Sequence, residues 1–383
     1  MSLAALIAAL SLVAWLYLLF GRGFFWLPIW PDPVPSPSRW PRIAVILPAR
    51  NEASVVGEAI GSLLAQDYPG EFSVTLVDDH SEDGTAEIAR SGASRLGKNG
   101  TLRVIGAAPL PPGWSGKLWA LSEGVAAVEQ AGEPPELFLF TDADIVHLPS
   151  HLAALAARLE AERRDLVSEM VLLRCRSVAE RFLIPAFVFF FQMLYPFAWS
   201  NDPRRRTAAA AGGCMLLRRE AYRRIGGFAA IRGALIDDCA LAKAVKGSGG
   251  SIWLGLTKET RSLRPYPRLG DIWRMVARTA YAQLRYAPLL LGGTVAGLAL
   301  VYLAPVVLMF AGGLAAWLAL AAWLAMSLAY LPMVLFYGLS PLWAPLLPGA
   351  ALVYLAATVD SARRHWQGAG GEWKGRVEWR HRS

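Results

Sequence analysis

Charge is scarce in this chain. Only 18% of its 383 residues are Asp, Glu, Lys or Arg, against 55% hydrophobic. That balance is too apolar for a protein that lives wholly in water. Cysteine is scarcer still. Cys175, Cys214 and Cys239 form no CxxC or CxxH pair, so no zinc or disulfide framework is readable. An odd cysteine count without a pairing pattern suits a reducing compartment. The chain has no G-x-G-x-x-G and no G-x-x-x-x-G-K-[ST] stretch, and neither a dinucleotide fold nor a P-loop is signalled. Internal repeats are lacking too. The charge that remains sums to +8. Its basic residues flank apolar segments, which fits an anionic membrane surface better than nucleic acid.

What the chain has in excess is apolar length. Leu3 to Phe20 carries no charge, which is near the minimum for a helical span. The first basic residue, Arg22, follows this run beside Phe24, Phe25, Trp26 and Trp30. A cleaved signal peptide wants the basic residues first, so residues 1–22 read as an uncleaved anchor with Arg22, Arg39 and Arg42 on the cytoplasmic side. Residues 23–41 form a linker stiffened by Pro28, Pro31, Pro33, Pro35, Pro37 and Pro41. At the other end, Pro288–Phe310 and Leu314–Phe336 are long enough to span, and Leu346–Val359 is shorter. Residues 288–360 are therefore expected in the membrane and 361–383 as a basic tail. Three full crossings would put that tail outside, against the positive-inside rule. One stretch, the first or the last, is expected to be re-entrant or interfacial.

Between these ends, residues 42–265 alternate strand and helix signals. Ile43–Leu47, Phe72–Val77 and Leu102–Ile105 are short β-branched or apolar runs. Helical stretches follow at Ser54–Ala65 and Lys117–Glu129. Acidic residues collect at strand ends: Asn51 and Glu52 after Pro48, then Asp78 and Asp79, then Asp142 and Asp144 after Phe138–Thr141. Strand–helix alternation implies an α/β fold, Rossmann-like, with a mostly parallel sheet and its ligands outside the carboxyl ends of the strands. Residues two apart on a strand point to one side. Just past a strand end, Asp142 and Asp144 can converge on one point and hold Mg²⁺ or Mn²⁺. A helix-capping role is the alternative for each acidic pair.

The second half is read more coarsely. Val167–Leu173 is a strand. Phe182–Trp199 is densely aromatic, interrupted by Pro185 and Pro196 and followed by Arg204, Arg205 and Arg206; it reads as an interfacial element near 182–199, with a core segment as the alternative. Gly212 and Gly213 read either as a tight turn into a strand or as a place where backbone approaches a ligand closely. Asp237 and Asp238 precede an apolar helix. Residues 266–287 are basic and aromatic, with Arg274 and Arg278, and read as a basic interfacial helix; Arg278 is the better candidate for a diphosphate contact.

The order PARNE, VDDHSEDGT, GK before a helix, then TDAD resembles family 2 glycosyltransferases with a GT-A fold, over roughly Ile43 to Tyr286. The resemblance implies that Pro48, Asn51, Glu52, Asp78 and Asp79 hold the base and ribose of a nucleotide sugar, with Lys117 near the donor. It implies ribose and metal-bound diphosphate at Asp142 and Asp144, an acceptor beside Gly212, Gly213 and Asp237, and a catalytic base at Asp238. Asp237 stands where that family more often has Glu, and Arg274-Met-Val-Ala-Arg278-Thr279 departs by one residue from its Q/R-x-x-R-W pattern. Over nearly its full length the chain resembles the hopene-associated branch and is similar to ceramide and carotenoid glucosyltransferases. The Trp373–Arg376 stretch resembles a tail of the lipid-modifying members, or is a polybasic lipid-surface patch.

The function this implies is an inverting, metal-dependent transfer from a nucleotide-diphosphate sugar, a UDP-sugar by expectation, to the hydroxyl of a membrane lipid such as a hopanoid. The catalytic domain would face the cytoplasm on a bacterial inner membrane, with no nucleic-acid partner. Transfer to polyprenyl phosphate is the nearest alternative. A processive polysaccharide synthase and a non-catalytic membrane scaffold are the others.

Overall fold

The computed structural model describes residues 2–368, together with the backbone of 372–373 and 376–377. The chain opens with α1 (Leu3–Leu16), prolonged by a wider turn over Tyr17–Gly21. Alternation follows: β1 (Ile43–Ala49), α2 (Val56–Leu64), β2 (Phe72–Asp78), α3 (Thr85–Arg95), β3 (Leu102–Gly106), α4 (Gly116–Glu129) and β4 (Leu137–Phe140). Past the Asp-rich turn come β5 (Ile145–His147), α5 (His151–Ala161) and β6 (Leu166–Leu172). The aromatic run forms α6 (Val178–Leu194) and the short α7 (Phe197–Asn201). The chain then returns to the sheet through β7 (Met215–Arg218), α8 (Arg219–Arg224), α9 (Asp237–Gly247) and β8 (Ile252–Ser262). It ends in α10 (Leu269–Gln283), α11 (Pro288–Leu298), α12 (Ala304–Leu308), α13 (Gly313–Phe336) and α14 (Leu347–Trp366).

Eight strands form one sheet in the order β3-β2-β1-β4-β7-β6-β8-β5. The four strands from β3 to β4 are parallel. Beyond them β7 runs antiparallel to both β4 and β6, and β5 antiparallel to β8. The expected mostly parallel sheet is thus parallel in one half and mixed in the other, where only β6 and β8 pair parallel. The strand order reverses at β1, between β2 and β4. Ligands bind beside such a point, outside the carboxyl ends of the strands.

All seven residues of β1 are buried, as expected for a central strand covered on both faces. Val45 and Leu47 pack toward α2 and α5, and Ala44 and Ile46 toward α4 and α9. Gly124 lets α4 lie this close: a Cβ there would sit 2.5 Å from Ile46 Cγ2.

A third apolar core joins the catalytic sheet to the terminal helices. Ser177 and Glu180 form a capping box at the start of α6. Pro185 does not interrupt this helix as its type suggests. Proline inside a helix costs about 3 kcal/mol, and here the packing of Leu183, Ile184, Val188 and Phe189, all fully buried, offsets it. Pro196 does end the run and caps α7. The aromatic element is therefore a buried junction rather than a bare apolar face. Arg22 donates to the Met193 and Leu194 carbonyls at the end of α6, satisfying groups a helix leaves unpaired.

Among the described residues, four stretches are long and apolar enough to cross a membrane: Leu3–Gly21, Pro288–Leu308, Gly313–Phe336 and Pro341–Trp366. The first three pack on one another through α1, α12 and α13, with Trp15 edge-on to Tyr302 and donating to the Val301 carbonyl. The last helix continues past residue 360, and Ser361 and Ala362 are buried. The side chains of the Trp373–Arg376 stretch lie outside the described residues.

Candidate active site

A cavity of about 670 Å³ opens along the carboxyl edge of the sheet, within the size range of small-ligand sites. Four strand-to-loop junctions supply its polar wall: the ends of β1, β4 and β8 and the turn before β7.

The Asp-rich turn follows β4. Asp142 and Asp144 do not cap the next helix, since Ser150 precedes α5. Both line the cavity. Lys117, from the first turn of α4, ion-pairs with Asp142 Oδ1 at 2.9 Å and with Asp237 Oδ2 at 3.1 Å. One ammonium thus ties the two acidic pairs together. Burial works against the charge on Lys117, but Asp142 and Asp237 hold its pKa above the ordinary value. Burial, then the neighbouring Asp144, pushes the Asp142 carboxyl up, with Lys117 opposing.

Asp144 is anchored by residues that the sequence reading missed. Ser262 Oγ donates to Asp144 Oδ2 at 2.8 Å, and Arg264 Nε lies 3.2 Å from the same oxygen. The Arg264 guanidinium also meets Glu52 Oε1 at 2.6 Å. Both come from β8 and the turn after it, paired antiparallel with β5 in the register Ile145↔Ser262. The reading of residues 42–265 assigns no element to Ile252–Ser262, so it places neither residue at the sheet edge.

The donor set fits a divalent cation shared with a diphosphate. Two hard carboxylates converge, and the raised Asp142 pKa marks negative charge that a cation would relieve. Among the described residues no cluster of three His, Cys, Asp or Glu forms a complete metal site, so phosphate oxygens would supply further ligands.

The second acidic pair opens α9, with Asp237 and Asp238 in its first turn. Neither caps the helix, whose N-cap is Ile236, and both line the cavity. Asp238 Oδ2 accepts from the Gly212 N–H at 2.9 Å and Oδ1 from its neighbour Cys239 N–H at 2.7 Å. Burial, then the adjacent Asp237, raises the Asp238 carboxyl to about 6. The fit at Gly212 is tight: a Cβ would lie 3.2 Å from Lys117 Nζ and 3.4 Å from Asp238 Oδ2. At Gly213 a Cβ would meet the Val171 methyls at 2.9 and 3.0 Å.

Pro48, Glu52, Lys117, Asp142, Asp144, Gly212, Gly213, Asp237, Asp238 and Arg278 all border the cavity. Asn51, Asp78 and Asp79 do not. They stand further along the sheet edge, where β1 and β2 end. Asn51, at φ 53°, accepts from the Glu82 N–H and donates its own N–H to Ser81 Oγ. The Asp79 N–H donates to the Ala49 carbonyl, and Arg50 donates to the Asp79 carbonyl at 2.6 Å. None of the three caps a helix, since α3 begins after Gly84. One Asp78 carboxylate oxygen is buried without a hydrogen bond among the described residues.

The far wall changes character. Leu173, Phe187, Phe191 and Met275 make it apolar, and Arg274, Arg278 and Arg364 stand at its rim. Arg364 comes from α14, a contribution from the chain's end that no motif signals.

Residues 44–226 match the family described as Glycosyl transferase family 2. A stretch of 54 residues is 41% identical to glycosyltransferase AglE of Haloferax volcanii. That stretch is 14% of this chain and 18% of AglE, so the match spans under a fifth of that relative's length. Among solved structures, the mannosyltransferase PcManGT from Pyrobaculum calidifontis, in complex with GDP-Man and Mn²⁺, superposes with a TM-score of 0.54 at 22% identity. The superposition covers 94% of this chain and 99% of that one. The likeness establishes a mixed α/β GT-A fold with apolar helices near both termini.

Proposed function

We propose, for a chain that carries a glycosyltransferase family 2 domain and is a glycosyltransferase, that it moves a sugar from a nucleotide-diphosphate donor to the hydroxyl of an amphiphilic membrane lipid, with inversion. The observation that carries this reading is Asp238. Its carboxylate is held by two backbone amides and raised to about 6, which suits a general base working near neutral pH. A base is what an alcohol acceptor needs.

In this reading Asp142 and Asp144 would hold Mg²⁺ or Mn²⁺ against the diphosphate. The bound cation would neutralise charge on the leaving group. PcManGT carries GDP-Man and Mn²⁺, so a GDP-sugar stands beside the UDP-sugar expected from the sequence. Asp238 takes the acceptor O–H proton. The acceptor oxygen bonds to the anomeric carbon as the bond to the phosphate oxygen breaks, and the nucleoside diphosphate leaves with that electron pair. Lys117 and Arg264 steady the acidic groups and face the departing charge. Leu173, Phe187, Phe191 and Met275 offer the lipid body an apolar wall. A hopanoid is the acceptor that the branch resemblance suggests.

The rim arginines Arg274, Arg278 and Arg364 favour a second reading, a polyprenyl-phosphate acceptor. Guanidinium groups suit phosphate geometry, and an ionised acceptor needs no base.

The membrane arrangement we propose has three crossings. Phe336, at the end of α13, stacks on Trp30 5.3 Å away and lies under Lys258 of β8, so α13 ends on the catalytic side. In the turn just before α14, Trp343 packs on Phe182, and within the helix Tyr354 donates to the Leu183 carbonyl. At its end Trp273 donates to Asp360 and Arg364 borders the cavity. Both ends of α14 thus meet the catalytic unit, and the helix lies along the bilayer surface. The basic tail then stays with the catalytic domain, which satisfies the positive-inside rule in a bacterial cytoplasmic membrane.

The test is a screen of the protein in lipid nanodiscs with UDP- and GDP-sugars, Mn²⁺ or Mg²⁺, and a bacterial lipid extract, read by mass spectrometry. A lipid that gains one hexose mass at a hydroxyl, and does so only without chelator, supports the main reading. A glycosylated polyprenyl phosphate supports the second. Failure to bind any nucleotide contradicts both.

A further inference from the structure

Beneath the site lies a buried polar chain that the mechanism does not use. Thr141 follows β4, His147 ends β5, His151 begins α5 and Glu169 sits in β6. Their exposures are 1%, 3%, 1% and 4%. Thr141 Oγ donates to the Gly213 carbonyl at 2.8 Å and lies 3.0 Å from His147 Nε2. His147 Nδ1 is 3.0 Å from His151 Nδ1, and His151 Nε2 is 2.9 Å from Glu169 Oε2.

One end of this chain fixes the direction of every bond in it. A backbone carbonyl only accepts, so the Thr141 hydroxyl hydrogen points to Gly213. His147 Nε2 must then carry the hydrogen that Thr141 Oγ accepts. Burial, then His151, holds His147 well below its ordinary pKa, so the ring is neutral and its Nδ1 is a lone pair. His151 Nδ1 therefore donates to it. His151 Nε2 shares one further proton with Glu169, as imidazolium and carboxylate or as imidazole and carboxylic acid. Each ring nitrogen and the hydroxyl in the line has a partner among the described residues, as a dry polar network requires.

The upper end of the line touches both halves of the site. Thr141 immediately precedes Asp142. Gly213 immediately follows Gly212, whose N–H holds Asp238. We propose that Thr141, His147, His151 and Glu169 are positioning residues that set the spacing between the donor carboxylate Asp142 and the base Asp238. This rests on the roles given to those two aspartates under the proposed function. A reactive geometry displaced by about 1 Å costs on the order of 10²-fold in rate, and the four residues grip the two loops whose separation matters.

The test compares four variants with Asp238→Asn in nanodiscs. Nucleoside diphosphate release is followed from UDP-glucose and GDP-mannose with a bacterial lipid extract, and UDP and GDP affinity and the melting temperature are measured alongside. Thr141→Val removes the hydroxyl at constant volume. It should lower kcat about tenfold or more with nucleotide affinity within about threefold, and Thr141→Ser should restore most of the rate. Glu169→Gln can still donate to His151 Nε2 and should retain turnover, whereas Glu169→Leu should lose it. A purely space-filling role gives the opposite order, since a buried charge is often replaced by an apolar residue without loss. Imidazole ¹⁵N shifts of the wild type should report His147 as the Nε2–H tautomer. Turnover unchanged in Thr141→Val and Glu169→Leu, or His147 as the Nδ1–H tautomer, overturns the proposal. If Asp238→Asn abolishes turnover while Thr141→Val does not, the positioning role fails alone; if Asp238→Asn is active, the base assignment fails.

Discussion

Two acidic pairs face one cavity, and they are compensated by different means. Asp142 and Asp144 are met by side-chain cations and a hydroxyl: Lys117, Arg264 and Ser262. Asp238 is met by backbone amides, those of Gly212 and Cys239, with the charge of Lys117 one residue away on Asp237. Mobile cationic side chains can turn to a phosphate when one arrives. Fixed amides cannot leave, so they hold a carboxylate in place while it changes protonation state. The first arrangement suits binding a charged donor, and the second suits moving a proton.

Several changes would break or sharpen this contrast. The largest effect belongs to the first pair. Asp142→Asn with Asp144→Asn should lower turnover by about 10³-fold or more through lost preorganised charge, and should remove the dependence of nucleotide affinity on Mn²⁺, both measurable by calorimetry and product assay. Next, Lys117→Met should cost about 10²-fold. It leaves Asp142 and Asp237 without their shared cation and removes the charge that holds the Asp238 carboxyl down, so the pH–rate profile should shift to higher pH. In the wild type that profile has a definite sign. The Asp238 carboxyl is raised to about 6 and acts as base when ionised, so kcat/KM should be flat above pH 7. It should fall about tenfold per unit below pH 6.

The same raised pKa makes a stability statement with the opposite slope. A carboxyl whose folded pKa exceeds its unfolded one stabilises the fold most below the unfolded value. That contribution is lost as pH rises through about 6. Asp238→Asn should therefore melt at a temperature equal to or above the wild type at pH 8, with the difference shrinking toward pH 4. The smallest effect is expected from Gly212→Ala. Its methyl would enter the gap between Lys117 and Asp238, cutting kcat about tenfold with little change in donor affinity.

The two pairs also differ in how much of them the sequence reveals. Asp142 and Asp144 follow an apolar strand, and Pro48 and Glu52 stand at the end of a similar run, whereas Lys117 opens a helix and only the family resemblance set it beside them. Local pattern places them at one sheet edge. Arg264 and Ser262 were not legible, because they meet Asp144 across roughly 120 residues of chain. They depend on β8 pairing with β5, and nothing local in a Thr- and Lys-containing strand announces its partner. Asp79 and Asn51 were legible as loop residues, but their bonds shape the turn at the ends of β1 and β2 rather than the cavity itself. The terminal helices teach the same lesson. Pro341–Trp366 has the composition of a span, and hydropathy cannot show that both its ends rest on the catalytic unit. The continuous α6 was hidden by Pro185, whose local cost is outweighed by contacts made with distant helices.

The most direct measurement of the central claim is Asp238→Asn assayed beside the wild type in nanodiscs, with lipid product and nucleotide affinity read from the same preparation. The account predicts product formation lowered by about 10²- to 10⁴-fold with UDP or GDP affinity nearly unchanged. Full turnover in Asp238→Asn would contradict it and would hand the acceptor to an already ionised phosphate held by Arg274, Arg278 and Arg364.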